Sequence, residues 1–541
     1  MPSGAAVSLR TQTLQWRRSM NEIVEKLKAD YDAVAYESWE HYHAHPDRIA
    51  VTATLRGLVP PPVNNCRVLE IACARGGNLL PMAEQMPASR FVGIDLSPRQ
   101  IESGSALVRE LGLTNIELRC QDLMDFPENA GTFDYIIAHG FYSWVPELVR
   151  KQLMTVCRRH LADNGLAFIS YNTFPGWRGK GAIRDMMLYH ARNATDPAER
   201  VKRGREIVQL VAEHTLQKAS YKSMVSEYSQ SISNDIDSHL LHDYMEVINE
   251  AVYFRDFVSE AQAHGLAHVG DANPEDDYWD RIPAPLRDSL SKMSADIVER
   301  DQYMDFLTNR MFRRSILCRA EAALGTPQAA ANQIRKLYIA SCPTEKPAGA
   351  NAAGKPLTQF GTEHNRVQLS DPRPIAAMRH LRGAWPSAVP FSDLAAVVFA
   401  HAAANQKDPE GNAEALAHVI ETCFSLGIVE LWSRPTDHIS PTAGQYPRAT
   451  RWARWQAAHL PMVTSLRHSQ VKTDDLLRLI LPLVDGTRDR KALVAEWVKQ
   501  DKAARPAKGE ALWANRDPQS LEQLIDVILQ RMASLSLLVT N

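Results

Sequence analysis

Hydrophobic and polar positions divide the chain into regions of different period. Between residues 67 and 171, β-rich runs at 67–72, 90–94, 115–119, 133–138 and 166–171 alternate with stretches of helical periodicity. Strands and helices in alternation predict a parallel α/β sheet, because parallel neighbours need a crossover that a helix supplies. Helix starts are marked by Asn78 behind a double glycine, by Ser97 and Pro98 as cap and first turn, and by Pro146 ahead of a long amphipathic run. Residues 182–245 read as helical throughout. A helix with Phe254, Phe257, Val258 and Ala261 on one face then stops at Gly265, and β runs follow at 266–269 and 314–318.

Beyond Arg319 the pattern changes again. The run from Pro347 to Pro356, rich in Ala, Gly and Asn, reads as a linker, and helical blocks separated by polar loops at 405–412 and 501–518 come after it. A weak internal echo relates the helix at 391–401, the helix at 413–425 and the short run 428–431 to the corresponding stretches 490–499, 521–534 and 537–540. Helix, helix, short strand predicts two winged-helix-like units, with unrelated helical packing as the alternative.

Composition narrows the class. A chain of 541 residues is long enough for two to four domains, and 45% apolar residues, 23% charged residues and a formal net charge of −2 are those of a soluble globular protein. No segment is basic enough to announce nucleic-acid binding. The N-terminal run through Arg10, Trp16 and Arg18 lacks an apolar stretch followed by a cleavage site, so secretion is not expected. The longest apolar run, 394–404, is too short to span a bilayer, so membrane insertion is not expected either. Seven scattered cysteines without CxxC spacing argue against a zinc site or a disulfide framework and fit a reducing cytoplasm.

The candidate chemistry begins at Val68-Leu-Glu-Ile-Ala-Cys-Ala-Arg-Gly-Gly-Asn78, which places the acid Glu70 at the end of the first strand, then the small residues Ala72, Ala74, Gly76 and Gly77, then the helix start Asn78. Small residues allow a ligand close to the backbone. A dinucleotide would need its pyrophosphate cradled by G-x-G-x-x-G, whereas S-adenosylmethionine brings no phosphates and tolerates a less open turn, with Glu70 near its ammonium. The second strand ends at Asp95, followed by Leu96, Ser97 and Gln100, where such folds place a carboxylate on the ribose hydroxyls. After the third strand, Asp122 is available to the adenine amino group, with Leu123 or Leu96 against the ring. An acid after a strand is more often a helix cap, so the weight lies on all three at matching strand ends.

The loop Ala138-His-Gly-Phe-Tyr-Ser-Trp-Val-Pro146 follows the fourth strand, at the edge where open α/β sheets bind ligands, and brings His139 and Gly140 toward the reacting methyl group. No Asn-Pro-Pro-Tyr-like sequence is present to grip a planar amide or base. Phe141, Tyr142 and Trp144 are candidates to wall a channel for an aliphatic amine, packing under the inserted helices being the alternative. After the fifth strand, Tyr171, Asn172 and Trp177 offer further acceptor contacts, and Tyr171, His139 and Tyr36 are candidates to assist proton loss. Upstream, the stretch from Tyr31 to Ser38 is placed to fold over the site as a lid. His41-Tyr-His-Ala-His45 would align three imidazoles if extended, but nothing completes a ligand set and no metal is expected.

These residues resemble the bacterial methyltransferases that carry a methyltransferase regulatory domain, including the rickettsial outer-membrane-protein lysine methyltransferases. The resemblance rests on Tyr31-Asp-x-Val-x-Tyr-Glu-Ser38, His45-Pro46, Leu69-Glu-Ile-Ala-Cys-Ala-Arg-Gly-Gly-Asn78, Pro81-Met-Ala83, His139-Gly-x-x-Ser-Trp-Val-Pro146 and Tyr171-Asn-Thr-x-Pro-Gly-Trp177. Tyr253-Phe-x-x-Phe257, Asp305-Phe-x-x-x-Arg310 and Leu481-Pro-Leu-Val-Asp-Gly-Thr-Arg488 extend it downstream. It implies a class I S-adenosylmethionine site at Glu70–Asn78, Asp95 and Asp122, a regulatory region near 220–320, and winged-helix-like modules at the C-terminus. Ala72 and Arg75 depart from the glycine and small residue expected there, and Arg75 is placed either to crowd the cofactor's carboxylate end or to pair with it.

The expected fold is therefore α/β, a Rossmann-like seven-stranded methyltransferase sheet with a helical insertion, followed by a mostly helical, winged-helix-like region. The expected divisions are a lid segment at 1–50, a cofactor-binding core at 51–180, the insertion at 181–249, a regulatory region completing the sheet at 250–325, and winged-helix-like units at 357–435 and 445–541. A protein lysine is the acceptor implied by resemblance, with no nucleic acid required. A small-molecule acceptor, or an adaptor without catalysis, stays open, as does a dimeric state.

Overall fold

The structure, a computed structural model, describes residues 38–216, 219–273, 279–322, 330–401, 408–504 and 517–540. After a 3₁₀ turn at Tyr42–Ala44 and helix α1 (Pro46–Leu55), strands β1 (Arg67–Ile71), β2 (Arg90–Asp95), β3 (Ile116–Cys120), β4 (Phe133–Ala138) and β5 (Leu161–Asn172) alternate with α2 (Leu79–Gln85), α3 (Pro98–Glu110) and α4 (Glu147–His160). Four helices follow: α5 (Trp177–Ala191), α6 (Pro197–His214), α7 (Ala219–Asn234) and α8 (Asp237–Tyr244). Then come α9 (Phe254–Ala263), β6 (Leu266–Asp271), α10 (Ala284–Met293), α11 (Ile297–Thr308) and β7 (Phe312–Arg319).

The seven strands form one sheet in the order β3-β2-β1-β4-β5-β7-β6. All neighbours from β3 to β5 are parallel, while β7 runs antiparallel to both β5 and β6. The sheet expected from sequence is thus closed by strands that lie after the helical insertion. Its centre is buried on both faces, which is why β1 and β4 read as nearly unbroken apolar runs. Val68, Tyr135, Ile137 and Phe168 pack with Ala50, Leu80 and Leu107 on one side. Leu69, Ile136, Ile169 and Tyr171 pack with Leu153, Met154, Phe254 and Phe257 on the other. Strand β5 begins five residues earlier than the pattern predicts because Leu161 pairs with Phe133, and regular pairing resumes only at Leu166. The insertion α5–α8 has its own core, built from Ile183, Met187, Val208, Val225, Leu240 and neighbours.

The C-terminal region contains α12 (Ala330–Ile334), β8 (Tyr338–Ala340), β9 (Thr344–Ala350), β10 (Pro356–Gly361), β11 (Arg366–Leu369), α13 (Pro372–Ala384), β12 (Val389–Pro390), α14 (Phe391–Ala400), α15 (Pro409–Ser425) and β13 (Glu430–Trp432). It continues with α16 (Arg451–His459), β14 (Met462–Thr464), β15 (Gln470–Lys472), α17 (Asp475–Ile480), α18 (Arg490–Ala504) and α19 (Pro518–Ser534). The expected linker at 347–356 is instead a hairpin. Thr358 pairs with Pro347 and Pro356 with Ala350, and the Asn351 side chain accepts the N–H groups of Ala353 and Lys355 to turn the chain. Gly, Asn and Pro serve a tight turn as readily as a loose tether, and composition alone does not separate them. The first unit also starts earlier than 357, since β8 lies between β12 and β13. The predicted echo is present as α14, α15 and β13 against α18, α19 and Val539, which bridges to Ile439 and Arg448.

Both units rest on the core. Arg48 of α1 donates to the Leu431 carbonyl at 2.6 Å and stacks over Trp432, and Glu84 of α2 accepts the backbone N–H groups of Arg451 and Trp452 at 2.7 and 3.0 Å. Among the described residues no helix is long and apolar enough to cross a membrane.

Candidate functional site

The loop between β1 and α2 alternates in handedness. Ala72, Ala74 and Gly76 have φ of 58°, 48° and 81°, the left-handed region in which a side chain is strained and glycine is not. Small residues at alternate positions are therefore a backbone requirement, and the two alanines meet it at a cost that glycine would avoid. The loop is packed hard from behind. A Cβ on Gly77 would lie 2.0 Å from the Ser38 carbonyl oxygen, and one on Gly104 of α3 would lie 2.5 Å from that of Arg75. The Gly77 N–H donates to Ser38 Oγ at 2.8 Å, so Ser38 lies against the loop. Tyr31 and Tyr36, assigned from sequence to a lid and to the acceptor, fall outside the described residues.

Because β3, β2, β1 and β4 are adjacent and parallel, their carboxyl ends share one edge, which brings Glu70, Asp95, Asp122 and His139 to the same side of the sheet. Glu70 is buried, and its Oε1 accepts the Asn78 side-chain N–H at 2.7 Å. Burial outweighs that bond and, with Asp95 nearby, pushes the Glu70 carboxyl up to about 8. Its Oε2 is buried with no hydrogen-bond partner. An orphaned carboxylate oxygen beside a loop whose left-handed turns keep side-chain bulk low fits the ammonium of S-adenosylmethionine. Asp95 accepts the Ala74 N–H at 2.8 Å and the Ser97 N–H at 2.9 Å, bonds that fix its carboxylate at the tip of β2. Ser97 Oγ caps α3 by accepting the Gln100 N–H, with Gln100 buried below, while Asp122 accepts the Met124 N–H and Leu123 is buried beside it. Leu96 is half-buried between these elements.

The acceptor-side residues separate into two groups. Gly140, at φ 61°, donates its N–H to Ser170 Oγ at 2.8 Å, and the His139 ring lies 3.7 Å from that of His41, tilted by 32°. Burial and the neighbouring His41 hold the His139 imidazole well below its ordinary value, so it is neutral. Asn172 is tied by its N–H to Ser143 Oγ and by its side chain to Asn249, and Phe141 and Trp144 are half-buried on the preceding loop. Tyr142 is buried with its hydroxyl on Glu260 and does not wall a channel, and Tyr171 is likewise turned into the sheet face. Its ring stacks 4.1 Å from Phe257 and its hydroxyl bonds Ser315 Oγ at 3.1 Å. Burial drives the phenol far above its usual range, and a group so engaged does not assist proton loss at the strand edge. The alternation of strand side chains explains the misplacement: one residue along β5 reverses the face. Trp177 is also buried, with the Lys180 ammonium 4.7 Å from its ring centroid and 4.4 Å from that of Tyr244.

The run His41–His45 is not extended, so its imidazoles do not align. The 3₁₀ turn sends His41 to His139, while His45 Nδ1 accepts the Asp47 N–H at the start of α1 and its ring lies 5.0 Å from that of His468. Among the described residues no group of three or more His, Cys, Asp or Glu is placed to hold a metal ion. Sequence reasoning missed Ser38, Ser170, Asn249 and His468. A hydroxyl flanking a motif gave a faint signal for the serines, but His468 lies 390 positions from the Asn78 oxygen it bonds and had none.

Residues 68–165 match the family described as Methyltransferase domain, residues 236–319 that described as Predicted methyltransferase regulatory domain, and residues 445–537 that described as PKMT, C-terminal winged helix domain. The chain is 32% identical over 525 residues to Uncharacterized protein RP789 of Rickettsia prowazekii (strain Madrid E), covering 94% of this chain and 93% of that one. It is 26% identical over 284 residues to Uncharacterized protein sll1526 of Synechocystis, covering 52% and 56%. The structure of PKMT2 from Rickettsia typhi in complex with AdoHcy superposes with a TM-score of 0.80 at 25% identity, covering 93% of this chain and 99% of that one. The cofactor is S-adenosylmethionine, and the chain belongs to the bacterial class I methyltransferases that carry a methyltransferase regulatory domain.

Proposed function

We propose that this methyltransferase acts on lysine side chains of protein substrates in the cytoplasm. The observation that carries the proposal is the likeness to PKMT2 over nearly the whole of both chains, including the C-terminal module, which a small-molecule enzyme would not need.

In this proposal the loop Ala72, Ala74, Gly76, Gly77 and Asn78 receives the amino-acid end of the cofactor, with Glu70 opposite its ammonium. Asp95 takes the ribose hydroxyls, with Leu96, Ser97 and Gln100 shaping the turn behind it. Asp122 and Leu123 meet the adenine, and His139 and Gly140 approach the reacting end. When bound, the cofactor supplies an electrophilic methyl group on a sulfonium. The remaining work for the chain is orientation and exclusion of water. Phe141 and Trp144 would present aromatic faces to the incoming alkylamine, and Asn172, held by Ser143 and Asn249, would fix its path. His139, held neutral, adds no positive charge to repel the arriving alkylammonium, which must still lose its proton before the nitrogen attacks the methyl group.

Labelled-methyl transfer into cell extract, with mass spectrometry of the products, tests the substrate class. Label on lysine side chains is expected, and label confined to small molecules refutes it. Asp95→Ala is expected to abolish transfer and the thermal stabilisation given by S-adenosylhomocysteine.

A further inference from the structure

We propose that His468, in the C-terminal module, is a positioning residue for the cofactor: by fixing the Asn78 amide it orients Glu70, which makes that module a working part of cofactor binding. The inference rests on the cofactor site proposed above.

His468 sits in the turn between β14 and β15, and its Nε2 lies 2.7 Å from Asn78 Oδ1. The same oxygen accepts the backbone N–H of His41 at 2.9 Å. An amide oxygen that holds two donors cannot be exchanged for the amide nitrogen, so the Asn78 NH2 group is forced toward Glu70, where it donates to Oε1 at 2.7 Å. That bond decides which carboxylate oxygen is occupied and leaves Oε2 to a cation. Without the His468 donor one of the two locks on the amide is gone. A turned amide would then present its carbonyl to the ionised carboxylate that the bound cofactor requires, which is repulsive in a buried site. His468, Asn78 and Glu70 are 1%, 2% and 3% exposed, so solvent does not stand in for a missing partner.

The imidazole has the state the role needs. Burial holds it down to about 3, so it is neutral, and its Nε2 must carry the proton because the amide oxygen has none to give. His468 also occupies a left-handed backbone position, φ 58°, where glycine would be unstrained. The turn is held by the Ser465 N–H to Ser469 carbonyl bond at 2.9 Å and the His468 N–H to Ser465 carbonyl bond at 3.0 Å. The module is anchored independently through Thr464 Oγ1, which donates to Glu40 Oε2 at 2.8 Å, and through Glu84. Loss of the imidazole therefore removes one bond to the loop and leaves the docking in place.

The test compares two variants of the full chain by calorimetric titration with S-adenosylhomocysteine and by KM and kcat for S-adenosylmethionine. His468→Leu fills the space without a donor, and His468→Gln returns a side-chain N–H at the same reach. The expected result is about a tenfold weaker Kd and higher KM for His468→Leu, with kcat less changed, and values within about twofold of the parent for His468→Gln. If His468→Leu does not fold, His468→Gly removes the donor while relieving the backbone and gives the same readout. Equal weakening by His468→Leu and His468→Gln, or unchanged binding by His468→Leu when Asp95→Ala abolishes it, overturns the inference. Unchanged binding by Asp95→Ala overturns the site assignment itself and the inference with it.

Discussion

Glu70 shows how one buried residue links cofactor binding to pH. Its carboxyl, pushed up to about 8 by burial from an ordinary 4.5, holds a proton at neutral pH that the unfolded chain would have released. Its cost to the fold therefore grows as pH rises from about 4.5 to about 8. A ligand cation beside Oε2 needs the ionised form, so below about 8 binding must expel the proton. Affinity for S-adenosylhomocysteine is expected to rise with pH up to about 8, by at most about tenfold per unit, and titrations in buffers of different ionisation enthalpy would register the release. Glu70→Gln should remove that dependence. The acid itself was legible in sequence, as were Asp95 and Asp122, because strand-end positions in a parallel sheet follow from the alternation. Its neutral state was not, since that depends on burial from every side. Ala72 is a second case: the small residue was legible, the left-handed φ of 58° was not. Because Ala72 is exposed and loses no packing, Ala72→Gly should raise stability by about 0.5–1 kcal/mol in denaturant unfolding, and Ala72→Val should lower it.

At the scale of elements, the joint between β6, α11 and β7 is secured by charge within the sheet's far edge. Arg313 reaches Asp305 through two bonds of 2.9 and 2.8 Å, and Asp271 lies against Arg313 and Arg310. Burial alone would raise the Asp271 carboxyl, yet Arg313 holds it well below its usual range. Asp305→Ala would leave the buried Arg313 short of a partner and is expected to cost about 3 kcal/mol in chemical unfolding, with no direct contact to the cofactor loop. The downstream motif containing Asp305 and Arg310 was visible in the sequence, but its purpose was not, because the Asp271 that pairs with Arg310 is on another strand. The elements read most accurately were the parallel strands, whose double burial writes a plain apolar run. The β9–β10 hairpin was misread because small, polar and turn-forming residues carry no period. Tyr171 was assigned to the wrong face because one position along a strand decides it.

Across the whole molecule, the N-terminal turn of the core and the contact it makes with the C-terminal units hold histidines that burial keeps neutral. His41 and His438 are held down to about 4, His43 and His468 to about 3, and His45 and His139 lie well below their ordinary value. A histidine held down in this way gains a proton only on unfolding, so the fold is unaffected above about 6.5 and loses stability as pH falls below it. Each such group contributes a slope of about 1.4 kcal/mol per pH unit, and a few together are comparable to the stability of a domain. Thermal unfolding followed by circular dichroism is expected to shift steeply downward between about pH 6.5 and pH 5; a flat profile there would contradict the buried, neutral assignment. None of this interface was legible in the sequence, which presents its two sides hundreds of residues apart. The sheet's closure has a further consequence during synthesis. When the insertion emerges from the ribosome, β5 has an open edge of apolar strand, and the partner that covers it, β7, is not made until residue 312. The half-built sheet must wait through the helices α5 to α11 and strand β6 with an edge ready to pair with any other strand, so a nascent chain stalled there should depend on chaperones far more than the finished protein does.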